Sequence, residues 1–253
     1  MPFRVIILIY LLLTYSGGLW ALLGSVLIVF VAWLAWRWQW AEHLGLQASP
    51  SQWLLALLAL SLAAVAAYTL VPAACQAQDI QMTPIWQRED RIVLVLHTLG
   101  QTLNEEIVLG WILLTTLNRR LPRLSLPALG LIVALIFTGL HFVFYAARST
   151  ENINYGILSA ATLLSVFSVG AFRNNLILGT GSITLAWGVH LGWNLIFIDS
   201  AYTLGGTGSK LAEPAIFNTV FGYTPVVIFL AVLMLASLLI FHLPGNKHIV
   251  ASY

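Results

Sequence analysis

Long apolar stretches separated by short polar ones dominate the pattern of this 253-residue chain. A helix that crosses a bilayer needs about 20 predominantly apolar residues, because it rises about 1.5 Å per residue through a hydrocarbon core about 30 Å thick. The pattern predicts spans over residues 3–15, 19–36, 53–71, 92–117, 127–147, 156–172, 180–198 and 223–243. We therefore predict an all-α fold, a polytopic transmembrane bundle of seven helices, or eight if the short first run is counted.

The composition also indicates a membrane protein. Only 8% of the residues are charged and 60% are hydrophobic, whereas a soluble domain carries about a quarter charged residues. The net charge of +2 gives no basis for binding nucleic acid. The single cysteine, Cys75, excludes an internal disulfide. We expect one integral membrane domain over residues 1–253, in a cytoplasmic (inner) membrane of bacterial type, with an oligomeric state that the sequence leaves open.

The charges between the predicted spans indicate an orientation. Arg37, the three arginines of residues 119–123 and Arg173 fall on one side of the membrane if the spans alternate. Cytoplasmic loops carry an excess of Lys and Arg, so we place residues 119–123 in the cytoplasm. Glycines 17 and 18 lead directly into the next apolar run, so we expect the first run to be retained rather than removed as a signal peptide.

Three of the predicted spans contain polar residues where apolar ones are expected. An ionisable side chain at the centre of a membrane helix costs about 2.5–3.5 kcal/mol on insertion scales, so such groups usually mark a function. Three helices with such groups indicate a shared polar cavity inside the bundle. The groups are Glu105 with Glu106 in the fourth span, His141 in the fifth, and His190 with Asn194 in the seventh.

Each of these groups also has a structural explanation. The two glutamates could lie in a solvated break of their helix, and His141 could be a structural histidine. His190 and Asn194, four residues apart on one helix face, could make a helix–helix hydrogen bond. For the two glutamates, a function is the other interpretation. Two adjacent carboxylates in a low dielectric do not both ionise at low cost, so the pKa of at least one should rise, as an acid or base near neutral pH requires.

In order and spacing these groups resemble the motifs of the CPBP family, the CAAX proteases and bacteriocin-processing enzymes. That family carries Glu-Glu-x-x-x-Arg, then Phe-x-x-x-His, then His-x-x-x-Asn or Asp, on successive helices. The resemblance covers about residues 104–197, with a catalytic core over about 92–199. The matching residues here are Glu105 and Glu106, Phe137 with His141, and His190 with Asn194.

The resemblance departs from the family pattern at one position. Gly110 stands where the motif arginine would be, four residues after Glu106. An arginine there would suit an ion pair within the helix. Its loss puts the role of Glu106 in question more than that of Glu105. The candidate replacements as partners of Glu106 are Arg148, Arg173 and His97.

The resemblance implies an intramembrane endopeptidase that hydrolyses a peptide bond in a membrane-anchored or lipid-modified protein substrate. In this interpretation Glu105 is the general base for water with help from His141, and Glu106 orients or tunes Glu105. His190 and Asn194 then donate hydrogen bonds to the oxyanion. No cofactor is needed. The alternative is a zinc site made of Glu105, His141 and His190, with an open position for water.

Two other functions stay open at this level. Gly110 leaves room for a non-catalytic immunity or scaffold protein of the same fold, and intramembrane His and Glu could relay protons in a transporter. For the protease, His141 and Asn194 lie only about 9 Å and 6 Å from the ends of their predicted spans. We therefore expect the site in the outer half of the membrane, beneath residues 199–222, whose glycines 205, 206 and 208 could form a mobile lid.

Overall fold

The computed structural model describes residues 2–14, 18–148 and 158–242, which form a bundle of helices with one small sheet. A π-helical segment, Glu106–Ile112, joins α5 to α6 without a break. The strands β1 (Ile80–Thr83) and β2 (Ala201–Leu204) pair antiparallel. The helices are α1 (Pro2–Leu13), α2 (Trp20–Trp36), α3 (Trp40–His43), α4 (Pro50–Gln76), α5 (Arg91–Glu105), α6 (Leu113–Arg120), α7 (Leu126–Arg148), α8 (Ala160–Thr180), α9 (Thr184–Phe197), α10 (Glu213–Phe221) and α11 (Thr224–His242).

The predicted polytopic α-helical bundle is confirmed. Within the described ranges, 6 helical stretches are long and apolar enough to cross a membrane, and α1 and α9 are shorter, with 12 and 14 residues. The six stretches are Trp20–His43, Pro50–Gln76, Arg91–Arg120, Leu126–Ala146, Ala160–Thr180 and Thr224–Phe241. The protein is thus an integral membrane protein. Its treatment as one domain over residues 1–253 stays a prediction.

Contacts at the helix ends show that α1 and α2 run in opposite directions, whereas α2 and α5 begin at the same end of the bundle. The ring of Phe3 packs against that of Trp36, with 5.1 Å between their centroids, where α1 begins and α2 ends. At the other end, His97 Nδ1 bonds the carbonyl of Gly18 over 2.9 Å, where α2 and α5 both begin. We call the end with residues 119–123 the basic end and the end with the two strands the sheet end. The cytoplasmic placement of the basic end stays a prediction.

One predicted boundary is wrong. The span predicted to end at residue 172 continues to Thr180, so Arg173 lies inside α8 and is only 2% exposed. The polar run that suggested a helix end instead faces neighbouring helices, and its two asparagine amides donate hydrogen bonds to them. Asn174 Nδ2 donates to the carbonyl of Gly130 over 2.8 Å, for example. Arg173 is therefore not a loop charge and gives no information on orientation.

The buried apolar residues form two clusters. One cluster, near the basic end, joins α1 and α2 with the π-helical segment, α7 and α8. The other, near the sheet end, joins α4 with α9, α10 and α11. The segment with glycines 205, 206 and 208 contains β2 and lies before α10, and the φ of +78° at Gly206 turns the chain after β2. A lid in this segment stays a prediction.

Close packing of α9 on α4 depends on two glycines. A Cβ atom at Gly188 would clash with the carbonyl oxygen of Ala56, and one at Gly192 with that of Leu60. Small residues let two membrane helices approach until their backbones touch. Residue 190 lies two positions from each glycine, and at about 100° per residue it projects from the opposite side of α9. The packing on α4 therefore directs His190 into the bundle.

We predict that Gly192→Ala destabilises the protein by roughly 1–3 kcal/mol, because the new methyl group meets a backbone atom that no side-chain rotation can move. The measurement is thermal denaturation of the purified protein in detergent. Gly139→Ala is the matched control, since a Cβ atom at Gly139 has no other atom within 4 Å. Equal midpoints for the two variants would contradict the proposed packing constraint.

The segment after α9 is held to α5 by a buried carboxyl group. Thr98 Oγ1 donates to Asp199 Oδ1 over 2.7 Å, and Arg88 Nη1 donates to the Asp199 carbonyl over 3.3 Å. Asp199 is 1% exposed, and its Oδ2 has no hydrogen-bond partner among the residues that the structure describes. Burial raises the pKa of Asp199 from its ordinary 3.8 to about 7.

This raised pKa predicts a specific pH dependence of stability. Between the ordinary pKa of 3.8 and about 7, the folded protein binds a proton that the unfolded chain has released, so the free energy of unfolding falls as the pH rises. Asp199→Asn does not titrate. Its stability relative to wild type should therefore increase through this window and level off above it.

Melting midpoints in detergent across this pH range, with the exposed Glu89→Gln as control, measure the effect. A difference between Asp199→Asn and wild type that stays constant with pH would show that Asp199 titrates normally.

Candidate active site

A cavity of about 1010 Å³ lies inside the bundle and is bounded mainly by α4, α5 and α7 to α11. Its wall is largely apolar, made of aliphatic and phenyl side chains. Among the predicted site residues, Glu105, His141, His190 and Asn194 line it, from α5, α7 and α9. Glu106 lies behind the wall. The tertiary structure therefore brings the residues of the three motifs together around one space.

Glu105 presents its carboxylate to this cavity from the end of α5. The residue is 2% exposed and belongs to a continuous helix, so the alternative of a solvated helix break is wrong. Gln101 Nε2, one turn earlier, donates to Glu105 Oε1 over 3.2 Å. The other oxygen, Oε2, lies 3.7 Å from His190 Nε2. The carboxylate is thereby held between a neutral donor and an imidazole.

Glu106 points away from Glu105 because adjacent residues of a helix project about 100° apart. It is fully buried, and His190 Nδ1 donates to its Oε1 over 2.8 Å. Its Oε2 lies 3.5 Å from Arg173 Nε. Glu106 was expected to orient or tune Glu105. The structure places its carboxylate against His190 Nδ1, and the same imidazole faces Glu105 through its Nε2.

Gly110 lies in the π-helical segment, one turn beyond Glu106. A Cβ atom there would be 2.8 Å from Ile177 Cδ1 of α8 and 3.2 Å from Glu106 Oε2. The missing side chain therefore lets α8 pack directly beside the Glu106 carboxylate. A widened π-helical turn often occurs at functional sites.

The cation beside Glu106 comes from α8. Of the three candidate partners, Arg173 is the one found at Glu106. His97 is occupied at another place, where its Nδ1 bonds the carbonyl of Gly18. The side chain of Arg148 lies outside the described part of the structure. An ion pair between helices thus stands where the family motif would have one within a helix.

His141 is oriented by its own helix. Its Nδ1 donates to the carbonyl of Phe137 over 2.9 Å, since a carbonyl can only accept. The rings of Phe137 and His141 lie 4.3 Å apart between centroids. With Nδ1 occupied in this way, Nε2 is the nitrogen that His141 has available for the cavity.

His190 and Asn194 lie one turn apart on α9 and share the face that lines the cavity. Asn194 is 7% exposed. The alternative of a helix–helix hydrogen bond holds for His190, whose Nδ1 bonds Glu106, but its Nε2 still faces Glu105. A structural bond at one nitrogen and an available second nitrogen are compatible with catalysis.

The sequence prediction missed Gln101 and foresaw the contacts of Phe137 and Arg173 only in part. Gln101 lies four residues before Glu105, and this spacing on one helix face was a usable signal. Phe137 was matched only as part of a motif, although its ring also lies 4.3 Å from the Arg173 guanidinium. Arg173 had been assigned to a loop. An arginine followed by two asparagines between apolar runs could have been read as a buried polar group instead.

The zinc alternative requires three ligands around one point. Within the described ranges, no group of three or more His, Cys, Asp or Glu side chains is arranged to hold a metal ion. The named set of Glu105, His141 and His190 is therefore not a preformed metal site in this geometry, and we derive no step through a metal.

Comparison with known families agrees with the motifs. Residues 87–196 match the family model described as Rce1-like, type II CAAX prenyl endopeptidase. That stretch contains all five predicted site residues, from Glu105 to Asn194. Neither the curated proteins nor the solved structures that were compared yield a match to the chain. Over residues 87–196 this chain is thus similar to the Rce1-like type II CAAX prenyl endopeptidases, in agreement with the resemblance of its motifs to those of CAAX proteases.

Proposed function

We propose that the protein hydrolyses a peptide bond in a membrane-anchored or lipid-modified protein, with Glu105 as the general base. The family supplies the reaction class, a CAAX-type endopeptidase in a membrane. The observation that carries the residue roles is the convergence of Glu105, His141 and His190 on one largely apolar cavity. Carboxylate and imidazole groups in such a space can move protons that the surrounding side chains cannot.

The first step needs a water molecule made nucleophilic. Glu105 lines the cavity, and Gln101 holds its Oε1, so that its carboxylate is placed to accept a proton from a water there. His141 Nε2 is the second acceptor that can hold this water in place. A correctly placed general base contributes about 10²–10⁴ in rate. Glu105 can then donate this proton to the amine that leaves when the peptide bond breaks.

The second requirement is a donor for the oxyanion of the tetrahedral intermediate. His190 Nδ1 donates to Glu106, so its Nε2 carries a proton only when the ring is an imidazolium. In this form Nε2 donates towards the cavity, and the Asn194 amide supplies a second donor. Loss of one such donor costs about 10²–10³ in rate.

The walls of the cavity favour a lipid-linked substrate. Several of its lining residues are also exposed on the outer surface of the bundle, at 45–63% of their area, so the cavity opens sideways. Those residues are Leu11 of α1, Leu62 of α4, and Leu140 and Val143 of α7. An opening framed by aliphatic side chains admits a lipid chain from the bilayer without passing it through water.

The position of the cavity agrees with a site nearer the sheet end. His141 lies about 10 Å from the end of α7 at 1.5 Å per residue. Phe217 and Phe221 of α10 line the cavity from that side. If the basic end faces the cytoplasm, the reaction takes place in the outer half of the membrane. We propose a cytoplasmic membrane of bacterial type.

We predict that Glu105→Gln lowers cleavage of a lipid-modified peptide by roughly 10²–10⁴-fold, since the amide cannot accept the proton from water. Cleavage is measured in liposomes, with and without a chelator, and the exposed Glu89→Gln is the isosteric control. Wild-type activity that survives the chelator supports the metal-free mechanism. Activity that the chelator removes and zinc restores would establish the metal alternative, and equal rates for Glu105→Gln and wild type would refute the base.

We also predict that Val143→Trp slows cleavage of a lipid-modified substrate several-fold, because the indole narrows the sideways opening. Leu135→Trp is the matched control on the same helix, since Leu135 is 61% exposed and is not among the lining residues. The measurement is kcat/KM in liposomes for peptides with and without the lipid. An equal effect of both tryptophans would argue against entry at this opening.

A further inference from the structure

Arg173 contacts Glu106, which bonds His190, and Phe137, which packs against His141. We propose that Arg173 is a positioning residue for the endopeptidase reaction, which holds Glu106 against His190 and Phe137 against His141. This inference rests on the proposed function, because it assigns Arg173 a place in the same reaction. It goes beyond the motifs, none of which includes position 173.

The burial of Arg173 requires an explanation. The residue lies within the membrane-spanning helix α8 and is 2% exposed. A cation at such a depth is retained where it faces the bundle interior and meets an opposite charge or a polarisable partner. Arg173 has both kinds of partner, and each of them contacts a histidine of the site.

The first contact leads to His190. Arg173 Nε lies 3.5 Å from Glu106 Oε2, and Glu106 Oε1 accepts from His190 Nδ1 over 2.8 Å. The two oxygens of one carboxylate are therefore divided between the guanidinium and the imidazole. Among the described residues, Oε2 has no hydrogen bond, so the nearby cation is the interaction that holds this oxygen. Without it, the carboxylate can rotate away from His190.

The second contact leads to His141. The Arg173 guanidinium carbon lies 4.3 Å from the centre of the Phe137 ring, a cation–π distance. That ring packs at 4.3 Å against His141, and the Phe137 carbonyl accepts from His141 Nδ1. Arg173 thus fixes the ring of the residue that fixes His141.

Both contacts together require an arginine. A guanidinium is planar, so its edge can meet a carboxylate while its face covers an aromatic ring. The ammonium group of a lysine is a compact charge, which can replace the pairing with Glu106 but not the flat contact with Phe137. In Arg173→Lys, Glu106 should therefore still be held against His190, whereas Phe137 should be held less firmly against His141.

The experiment compares Arg173→Met, Arg173→Lys and Asn174→Leu, with the peptide substrate in liposomes. Asn174 is the matched control, since it is buried at the next position of α8 and bonds the carbonyl of Gly130 on α7. We expect Arg173→Met to lower kcat by about 10–100-fold, the range seen for residues that orient metal ligands through a hydrogen bond. KM should stay within about twofold of wild type. Arg173→Lys should recover part of kcat, and Asn174→Leu should lower the melting midpoint without lowering kcat.

A merely structural role for Arg173 predicts a different pattern. The Arg173→Met and Asn174→Leu variants would then lose thermal stability alike, with no selective loss of kcat. The double variant Glu106→Gln, Arg173→Met adds a second criterion. If Arg173 acts through Glu106, the double variant should lose less kcat than the product of the losses in the single variants Glu106→Gln and Arg173→Met. A loss equal to that product would show that Arg173 does not act through Glu106.

A second measurement does not depend on activity. Nitrogen-15 NMR of histidine-labelled protein reports the hydrogen bonding of each imidazole, with signals assigned by replacing His141 or His190. Arg173→Met should shift both signals, Arg173→Lys mainly that of His141, and Asn174→Leu neither. If wild type cleaves no substrate, the proposed function fails and these spectra still decide the positioning role. Unchanged kcat and unchanged signals in a folded Arg173→Met variant, or in Arg173→Lys should the former not fold, would overturn the inference.

Discussion

The pairing of Glu106 with Arg173 is the interaction on which the site depends. Both side chains are almost completely buried in a bundle with an apolar exterior, where an unpaired charge is very costly. Their contact joins the π-helical segment to α8, and the second oxygen of Glu106 holds His190 on α9. Three helices are thereby connected through one carboxylate. A buried charge pair adds little net stability to a protein, but the removal of one partner is strongly destabilising, because it leaves an uncompensated buried charge.

Glycines make this arrangement sterically possible. Gly110 leaves the space in which α8 reaches the Glu106 carboxylate, while Gly188 and Gly192 let α9 pack against the backbone of α4. A methyl group at Gly188 or Gly192 would meet a backbone carbonyl oxygen of α4, whereas one at Gly110 would meet side-chain atoms of Ile177 and Glu106. The same small residues that allow close helix packing in a membrane therefore also determine where the polar side chains meet. The glycine positions thus affect both the distance between the helices and the placement of the polar side chains of the site.

The Rce1-like match and the departure at Gly110 are consistent with each other. The match covers residues 87–196, and Arg173 lies inside this stretch. In the motif, the arginine would be four residues from Glu106 on the same helix, whereas here the guanidinium arrives from a neighbouring helix. Electrostatic pairing depends on the distance between charges and not on their separation along the chain. A glycine in the motif is therefore compatible with a paired Glu106.

The sequence by itself determined the class of the protein, the approximate spans and the candidate residues Glu105, Glu106, His141, His190 and Asn194. These follow from local properties, because an apolar run long enough to cross a bilayer and an ionisable group inside it are both visible in the chain. Only the tertiary structure decided which carboxylate faces the cavity, that Glu106 supports His190, and that Arg173 lies inside α8 rather than in a loop. Such facts depend on which helices become neighbours and on how each is rotated, and no spacing along a single helix contains that information.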